Sequence, residues 1–250
     1  MIEAFSLAGR VALVTGSTAG IGRAVAGVLA QAGATVAVNG RDIGQVARVV
    51  AEIPRALPAP FDVTDYDAAR LRMDEIAAAA GGIDILVLCA AMRDRRSYAD
   101  ITPADYRRLL ETNTVSYLEL SRAATERMRR PAHGRLIFIT STGAKRPFRG
   151  DPVYASSKAA VESLVRSLAC ELGPGGTTVN GIAPGFTATE HNAAWVEDEA
   201  FSALVAAKVP PGRWARPEEI GYAAAFLASD AASYVNGHIL TVDGGMSVIL

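Results

Sequence analysis

Short apolar runs alternate along the chain with longer stretches whose apolar residues recur at helical spacing. Val11-Ala12-Leu13-Val14 predicts a buried strand and residues 35–39 a second. Residues 84–90 and 135–141 predict two strongly apolar strands, and residues 178–183 and Ile239–Val242 a sixth and a seventh. The run 57–61 is weaker and carries Pro58 and Pro60. Proline cannot donate to a ladder, so this strand belongs at a sheet edge. Helical patterns cover Gly20–Gln31, 103–128 and 153–172, and Asp42-Ile43-Gly44-Gln45 has the form of a capping box opening another helix. Strands separated by helices indicate a parallel sheet covered on both faces, an α/β architecture. No repeat, low-complexity linker or charge run divides the chain, so residues 1–250 are expected to form one domain.

Composition narrows the function classes. Half of the 250 residues are hydrophobic and a fifth charged, as in ordinary globular proteins. A chain of this size buries roughly 70–75% of its unfolded surface, so no metal or disulfide staple is needed. With 25 basic and 26 acidic side chains the net charge is -1, which offers no field for nucleic acid or an anionic membrane. The longest apolar stretch, residues 83–92, contains Asp84 and is too short to span a bilayer. Cys89 and Cys170 are the only cysteines and both sit in apolar runs. Their use, and the lack of a basic leader before an apolar run at the N-terminus, lead to the expectation of a reducing, cytoplasmic compartment. No His, Cys or carboxylate cluster has metal-ligand spacing, and His133, His191 and His238 are scattered.

The first strand runs into Thr15-Gly16-Ser17-Thr18-Ala19-Gly20-Ile21-Gly22, and a helix follows. Glycines at this spacing let backbone N–H groups approach a pyrophosphate, and the helix N-terminus adds partial positive charge. A tight turn without a ligand is the plainer reading, which placement after the first strand of a βαβ pattern disfavours. At the end of the second strand, where NAD-binding folds place an acid on the ribose, stand Asn39, Gly40 and Arg41. Gly40 is expected to leave room and carries no charge to repel a phosphate, and Arg41 can hold a 2′-phosphate in a bidentate contact. Asp42 is the rival as a ribose ligand, but its capping position commits it to the helix start. The expected cofactor is therefore NADP(H).

Tyr154-Ala155-Ser156-Ser157-Lys158 sets Tyr and Lys four apart on one helix face. The chain has seven tyrosines and only three lysines, so about 0.08 such pairs are expected by chance. A free tyrosine is a poor base at neutral pH. A nearby ammonium favours the phenolate, so Lys158 is expected to lower the Tyr154 pKa and fit it for proton exchange with a carbonyl or alcohol oxygen. A surface pair on an amphipathic helix is the alternative.

Together these motifs resemble the short-chain dehydrogenase/reductase family, from about Leu7 to Gly245. Asp62-Val63, Asn113, Ser141, Pro184-Gly185, Val235-Asn236-Gly237 and Val242-Asp243-Gly244-Gly245 extend the match. The resemblance implies a doubly wound, seven-stranded Rossmann sheet of order 3-2-1-4-5-6-7. It also implies a ketone/secondary-alcohol oxidoreductase acting on a small molecule, with copies associating as a dimer or tetramer through helices 103–128 and 153–172. Ser141 would hydrogen-bond the substrate carbonyl, or else is a plain strand-end serine. Lys158 would hold the nicotinamide ribose. Asn113 would hold a water linking Lys158 to solvent, or else is a buried amide. Asp62 and Val63 would meet the adenine; Asp62 is otherwise a turn residue. Pro184, Gly185, Thr187 and Thr189 would wrap the nicotinamide amide and pyrophosphate, or simply form a loop. Residues 186–216 would form the substrate lid, with Trp195 or His191 lining a pocket or only packing the lid.

The pattern departs in one place. Where the family carries Asn-Asn-Ala-Gly after the fourth strand, this chain has Leu88-Cys89-Ala90-Ala91. Cys89, Ala90 and Ala91 would still face the cofactor, but without the polar side chains that tie neighbouring loops. Cys89 at an apolar strand end reads as inert rather than reactive.

Segments such as Val38-Asn39-Gly40-Arg41 and Gly212-Arg213-Trp214 resemble the gluconate 5-dehydrogenase branch. Arg93, Arg95, Arg96, Lys145, Arg146 and Arg149 follow strands whose ends face the cofactor and could attract an anionic sugar acid or keto acid; solvated loop charges are the alternative. The 3-oxoacyl-[acyl-carrier-protein] reductases share every catalytic motif, and Arg127, Arg129 and Arg130 could help dock a carrier protein. A catalytically idle NADP(H)-binding sensor or scaffold is the rival of another class.

Overall fold

The computed structural model describes residues 2–128 and 133–249. Seven parallel strands form one sheet of order β3-β2-β1-β4-β5-β6-β7: β1 (Val11–Val14), β2 (Thr35–Gly40), β3 (Ala56–Pro60), β4 (Ile85–Leu88), β5 (Arg135–Ile139), β6 (Thr178–Pro184) and β7 (Ile239–Val242). The order reverses between β1 and β4, which is where an open α/β sheet leaves a crevice for ligands. β3 lies at the edge with Pro58 opposite Val38, as its prolines require.

The central strands are apolar on both faces because helices cover both. Leu13, Leu86, Leu88, Leu136 and Phe138 point to one core, shared with α3 (Tyr66–Ala80), α5 (Ser116–Thr125) and α6 (Pro152–Leu172). Ala12, Val14, Ile85, Val87, Ile137 and Ile139 point to the other, shared with α1 (Gly20–Gln31), α2 (Ile43–Glu52) and α9 (Pro217–Ala228). Asp84 lies just outside β4, and its buried carboxylate accepts the Val11 N–H at 2.8 Å.

One expected helix is interrupted. The run 103–128 forms α4 (Pro103–Leu110), a π-helical turn (Glu111–Val115) and α5, with Asn113 inside the π turn. Two short helices, α7 (Ala193–Glu197) and α8 (Glu199–Lys208), lie within residues 186–216. Among the described residues no helix is long and apolar enough to cross a membrane, and no group of His, Cys, Asp and Glu could hold a metal ion.

Candidate active site

The turn from β1 to α1 is packed against the end of β4. Gly16 adopts φ +62°, and a Cβ there would stand 2.8 Å from the Ala90 Cα. Thr15 supplies the polar tie that Leu88-Cys89-Ala90-Ala91 lacks: its Oγ1 accepts the Cys89 and Ala90 N–H groups at 3.0 and 3.1 Å. Sequence reasoning did not assign Thr15 a role; a buried hydroxyl on the first residue after an apolar strand was the available signal. Desolvation pushes the Cys89 thiol up to about 11, in keeping with an inert cysteine.

The side chains of Ser17 and Asn39 are engaged within the protein. Ser17 Oγ donates to Val14 O and accepts from Asn39 N. Asn39 Oδ1 accepts from Gly16 N, and its Nδ2 donates to Ala59 O and Phe61 O. The two residues set the shape of the loop through these bonds. The cradle fits an anion: the N–H of Gly20, at the start of α1, donates to the Glu190 carboxylate at 2.9 Å. Thr189 also lies over Gly20, so the segment after β6 covers the cradle.

At the β2 end, Gly40 serves packing. A Cβ there would lie 2.6 Å from Thr18 Cγ2, so the glycine admits Thr18 rather than leaving open room. Arg41 is 82% exposed and only loosely paired with Asp62, at 3.9 Å. Asp42 caps α2 through Gln45 N, as expected. Asp62 Oδ1 also accepts from Thr64, and Val63 is buried in the core.

β5 delivers Ser141, whose Oγ accepts Gly143 N at 3.0 Å. The first turns of α6 carry Tyr154 and Lys158, and Tyr154 lines the same cavity as Ser141, Pro184 and Gly185. The expected lowering of the Tyr154 pKa by Lys158 is not found; the shift is upward. Lys158 Nζ donates to Ile139 O at 2.8 Å and to the Tyr117 hydroxyl at 3.3 Å, and it stands 5.8 Å from the Tyr154 ring centroid. Burial therefore dominates at Tyr154 and raises its pKa, with Asp151 acting in the same direction; Arg93 and the Ser141 hydrogen bond only partly oppose it. The group is a protonated phenol at neutral pH, suited to donating a proton.

Burial pushes Lys158 down to about 8. Because its unfolded value lies near 10.4, the unfolded chain binds more protons between those two values, and stability rises with pH across that window. Relative to Lys158→Met, the unfolding free energy of the wild-type chain should rise by on the order of 3 kcal/mol between pH 8 and pH 10.5. Denaturant titrations at both pH values check this, and parallel curves for the two proteins would refute it.

Asn113 Oδ1 accepts Met92 N at 2.8 Å, and its Nδ2 donates to Met92 O and to Ser157 Oγ. It thereby ties the loop after β4 to α6. The π turn widens the helix at this residue, as π turns at functional sites do.

Three arginines follow β4. Arg93 pairs with Asp151 and lies over the Tyr154 ring at 4.8 Å. Arg96 pairs with Asp94 and Asp105. Arg95 stacks on Trp195 at 3.7 Å and donates to Asn192 Oδ1; among the described residues no carboxylate lies within ion-pair distance of it, and Asp151 attracts it from farther away. Phe186, Phe201 and Trp214 form the apolar interior of the lid, with ring centroids 5.5–5.9 Å apart. His191 is exposed, leaving Trp195 as the lid residue facing the arginines. Thr187 is buried at the lid's start and donates to Gly185 O. Lys145 lies 3.8 Å from Glu162, and Arg146 donates to Ile249 O. Of the basic cluster considered for carrier-protein docking, Arg127 is tied to Asp74 and Glu126, while Arg129 and Arg130 lie outside the described residues.

The chain matches the family model described as Enoyl-(Acyl carrier protein) reductase over residues 16–247. It is 37% identical to gluconate 5-dehydrogenase of Gluconobacter oxydans (strain 621H), covering 99% of this chain and 98% of that protein. It is 36% identical to the 3-oxoacyl-[acyl-carrier-protein] reductase of Escherichia coli (strain K12), covering 96% and 98%. The crystal structure of a gluconate 5-dehydrogenase from Burkholderia cenocepacia J2315, in complex with NADP and tartrate, superposes with a TM-score of 0.93 at 35% identity and covers 99% of both chains. With its switch-point cradle, its Ser141–Tyr154–Lys158 cleft and this full-length similarity, the chain belongs to the short-chain dehydrogenase/reductase family.

Proposed function

We propose that this oxidoreductase, which interconverts a ketone and a secondary alcohol with NADP(H), acts on a small carboxylate bearing hydroxyl groups, a sugar acid or a keto acid derived from one. The observation that carries the substrate class is Arg95: a guanidinium beside the cleft, held by Trp195, with no carboxylate within ion-pair distance among the described residues and only the longer-range attraction of Asp151. Relatives named for gluconate and 5-keto-D-gluconate agree with it.

In this reading residues 1–250 act as one cytoplasmic domain with 186–216 as the lid, and copies associate through the exposed faces of α4, α5 and α6. The residues that would hold the dinucleotide are Gly16, Thr18, Gly20, Ile21 and Gly22 for the pyrophosphate, Arg41 for the 2′-phosphate, Asp62 and Val63 for the adenine, and Cys89, Ala90 and Ala91 for the ribose. Pro184, Gly185, Thr187 and Thr189 cover the nicotinamide end. When bound, NADP(H) supplies or accepts the hydride. Ser141 orients the substrate oxygen, Tyr154 gives it a proton in reduction, and Lys158 holds the ribose and is charged below about pH 8. Asn113 positions the β4 loop against α6.

A panel of 5-keto sugar acids, neutral ketoses and 3-oxoacyl thioesters, assayed with NADPH, tests the proposal. Keto acids should give the highest kcat/KM, and Arg95→Met should lower it about tenfold through KM. Turnover confined to thioesters or neutral ketones would overturn the reading, and tight NADPH binding with no turnover at all would favour an idle binder.

The cradle gives a second expectation. Glu190 takes the N–H that the pyrophosphate needs, so the two anions compete at the start of α1. Glu190→Ala should tighten NADPH binding by about threefold to tenfold, read as Kd by quenching of intrinsic fluorescence. Weaker binding in the variant would show Glu190 to be a helper instead.

A further inference from the structure

The mechanism above leaves Asp151 unused, yet this residue sits in the cleft. It is the N-cap residue of α6, a position where aspartate ordinarily accepts a helix N–H. Its side chain makes no capping bond. Instead it is buried, 5% exposed, and lines the cavity shared with Ser141 and Tyr154.

Its ion pair is one-sided. Arg93 Nε donates to Asp151 Oδ2 at 2.5 Å, and the Arg93 terminal nitrogen reaches the same Oδ2. A fork-to-fork pair would engage both carboxylate oxygens. Here Oδ1 is buried and has no hydrogen-bond partner among the described residues. A buried carboxylate oxygen left without a donor is costly, and such atoms in folded proteins call for a ligand or a function. The arginine that clamps Oδ2 also lies over the Tyr154 ring, so the free oxygen is held at a fixed place beside the proton donor.

We propose that Asp151 is a specificity-determining residue whose Oδ1 accepts a hydrogen bond from a substrate hydroxyl on a carbon flanking the reacting carbonyl. Arg93 is the positioning residue that holds the carboxylate for that contact. An acceptor-only oxygen selects a hydroxyl over a hydrogen or a carbonyl at that place. The site therefore favours polyhydroxylated ketones and disfavours substrates whose flanking carbons carry no hydroxyl, such as 3-oxoacyl chains. This assignment rests on the oxidoreductase reading above and deepens its substrate class.

The test compares a keto sugar acid with two analogues, each lacking the hydroxyl on one flanking carbon. For the wild-type protein, removing one of these hydroxyls should lower kcat/KM by about tenfold to a hundredfold, as expected for a hydrogen bond to a charged group. In Asp151→Asn the ratio of kcat/KM between the hydroxylated and the deoxy ketones should shrink at least about tenfold, a ratio in which any common change at Tyr154 cancels, while NADPH Kd is unchanged. A purely structural role would instead lower activity equally on all three ketones, and that outcome overturns the assignment. So does a wild-type protein that does not distinguish the analogues, even if sugar acids remain its best substrates. If none of the ketones is turned over, the broader function fails with it. Should Asp151→Asn not fold, the double variant Arg93→Met, Asp151→Asn removes both charges together and carries the same comparison.

Discussion

Tyr154→Phe is expected to lower kcat for ketone reduction by about 10²- to 10⁴-fold while NADPH Kd stays within about twofold. The loss follows from where the proton comes from. A hydride arriving at a carbonyl carbon leaves negative charge on oxygen, and the cavity that holds Ser141 offers Tyr154 as the acid beside it. Burial keeps that phenol protonated at neutral pH, the state that reduction needs. Phenylalanine keeps the ring under the Arg93 guanidinium and so preserves the packing, removing only the hydroxyl. In the proposed arrangement Ser141 would still contact the substrate oxygen, and activity above background is expected to remain. Single-turnover reduction, cofactor fluorescence and thermal unfolding together separate lost chemistry from lost binding or folding. A variant with undiminished kcat would show that another group protonates the oxygen.

The fold was largely legible because burial on two faces leaves a periodic trace. Leu13, Leu86 and Leu136 go to one core while Val14, Val87 and Ile137 go to the other, and the helices between the strands force the sheet to be parallel. Pro58 and Pro60 marked the edge strand since they cannot serve a ladder on both sides. The π turn at Asn113 was not legible, because apolar spacing continues across it and only the Met92 and Ser157 contacts explain the wider winding. Of the residues expected at the site, Ser141, Tyr154, Pro184 and Gly185 line one cavity, but the bonds among the site's residues were not legible. Thr15–Gly22 marks a cradle, yet nothing in its order says that Ser17 and Asn39 bond to each other while the Gly20 N–H reaches Glu190. The sign of the Tyr154 shift depends on where Lys158 Nζ points, and the Ile139 carbonyl that draws it lies 19 residues away. Arg93 meets Asp151 across 58 residues and Gly20 meets Glu190 across 170, distances that only the folded chain closes.

Arg41→Ala should reduce the ratio of kcat/KM for NADPH over NADH by about tenfold or more. The argument is one of charge and access. Gly40 and Asn39 put no carboxylate at the β2 end, and Asp42 is spent on the α2 cap. Arg41 is the cation in reach, and its exposure leaves it free to turn from Asp62, 3.9 Å away, onto a 2′-phosphate. A hydrogen-bonded charge pair is worth about 1.5–3 kcal/mol, and solvent at so open a position draws the effect toward the lower end. The preference should also fall as ionic strength rises, because the Debye length shortens from about 10 Å at 0.1 M to about 3 Å at 1 M. Asp42→Ala is the contrast. It should cost about 1 kcal/mol of stability through the lost cap and leave the cofactor ratio alone. The opposite pattern, with the ratio moved by Asp42→Ala and untouched by Arg41→Ala, would place the ribose on the acid and make NADH the natural partner.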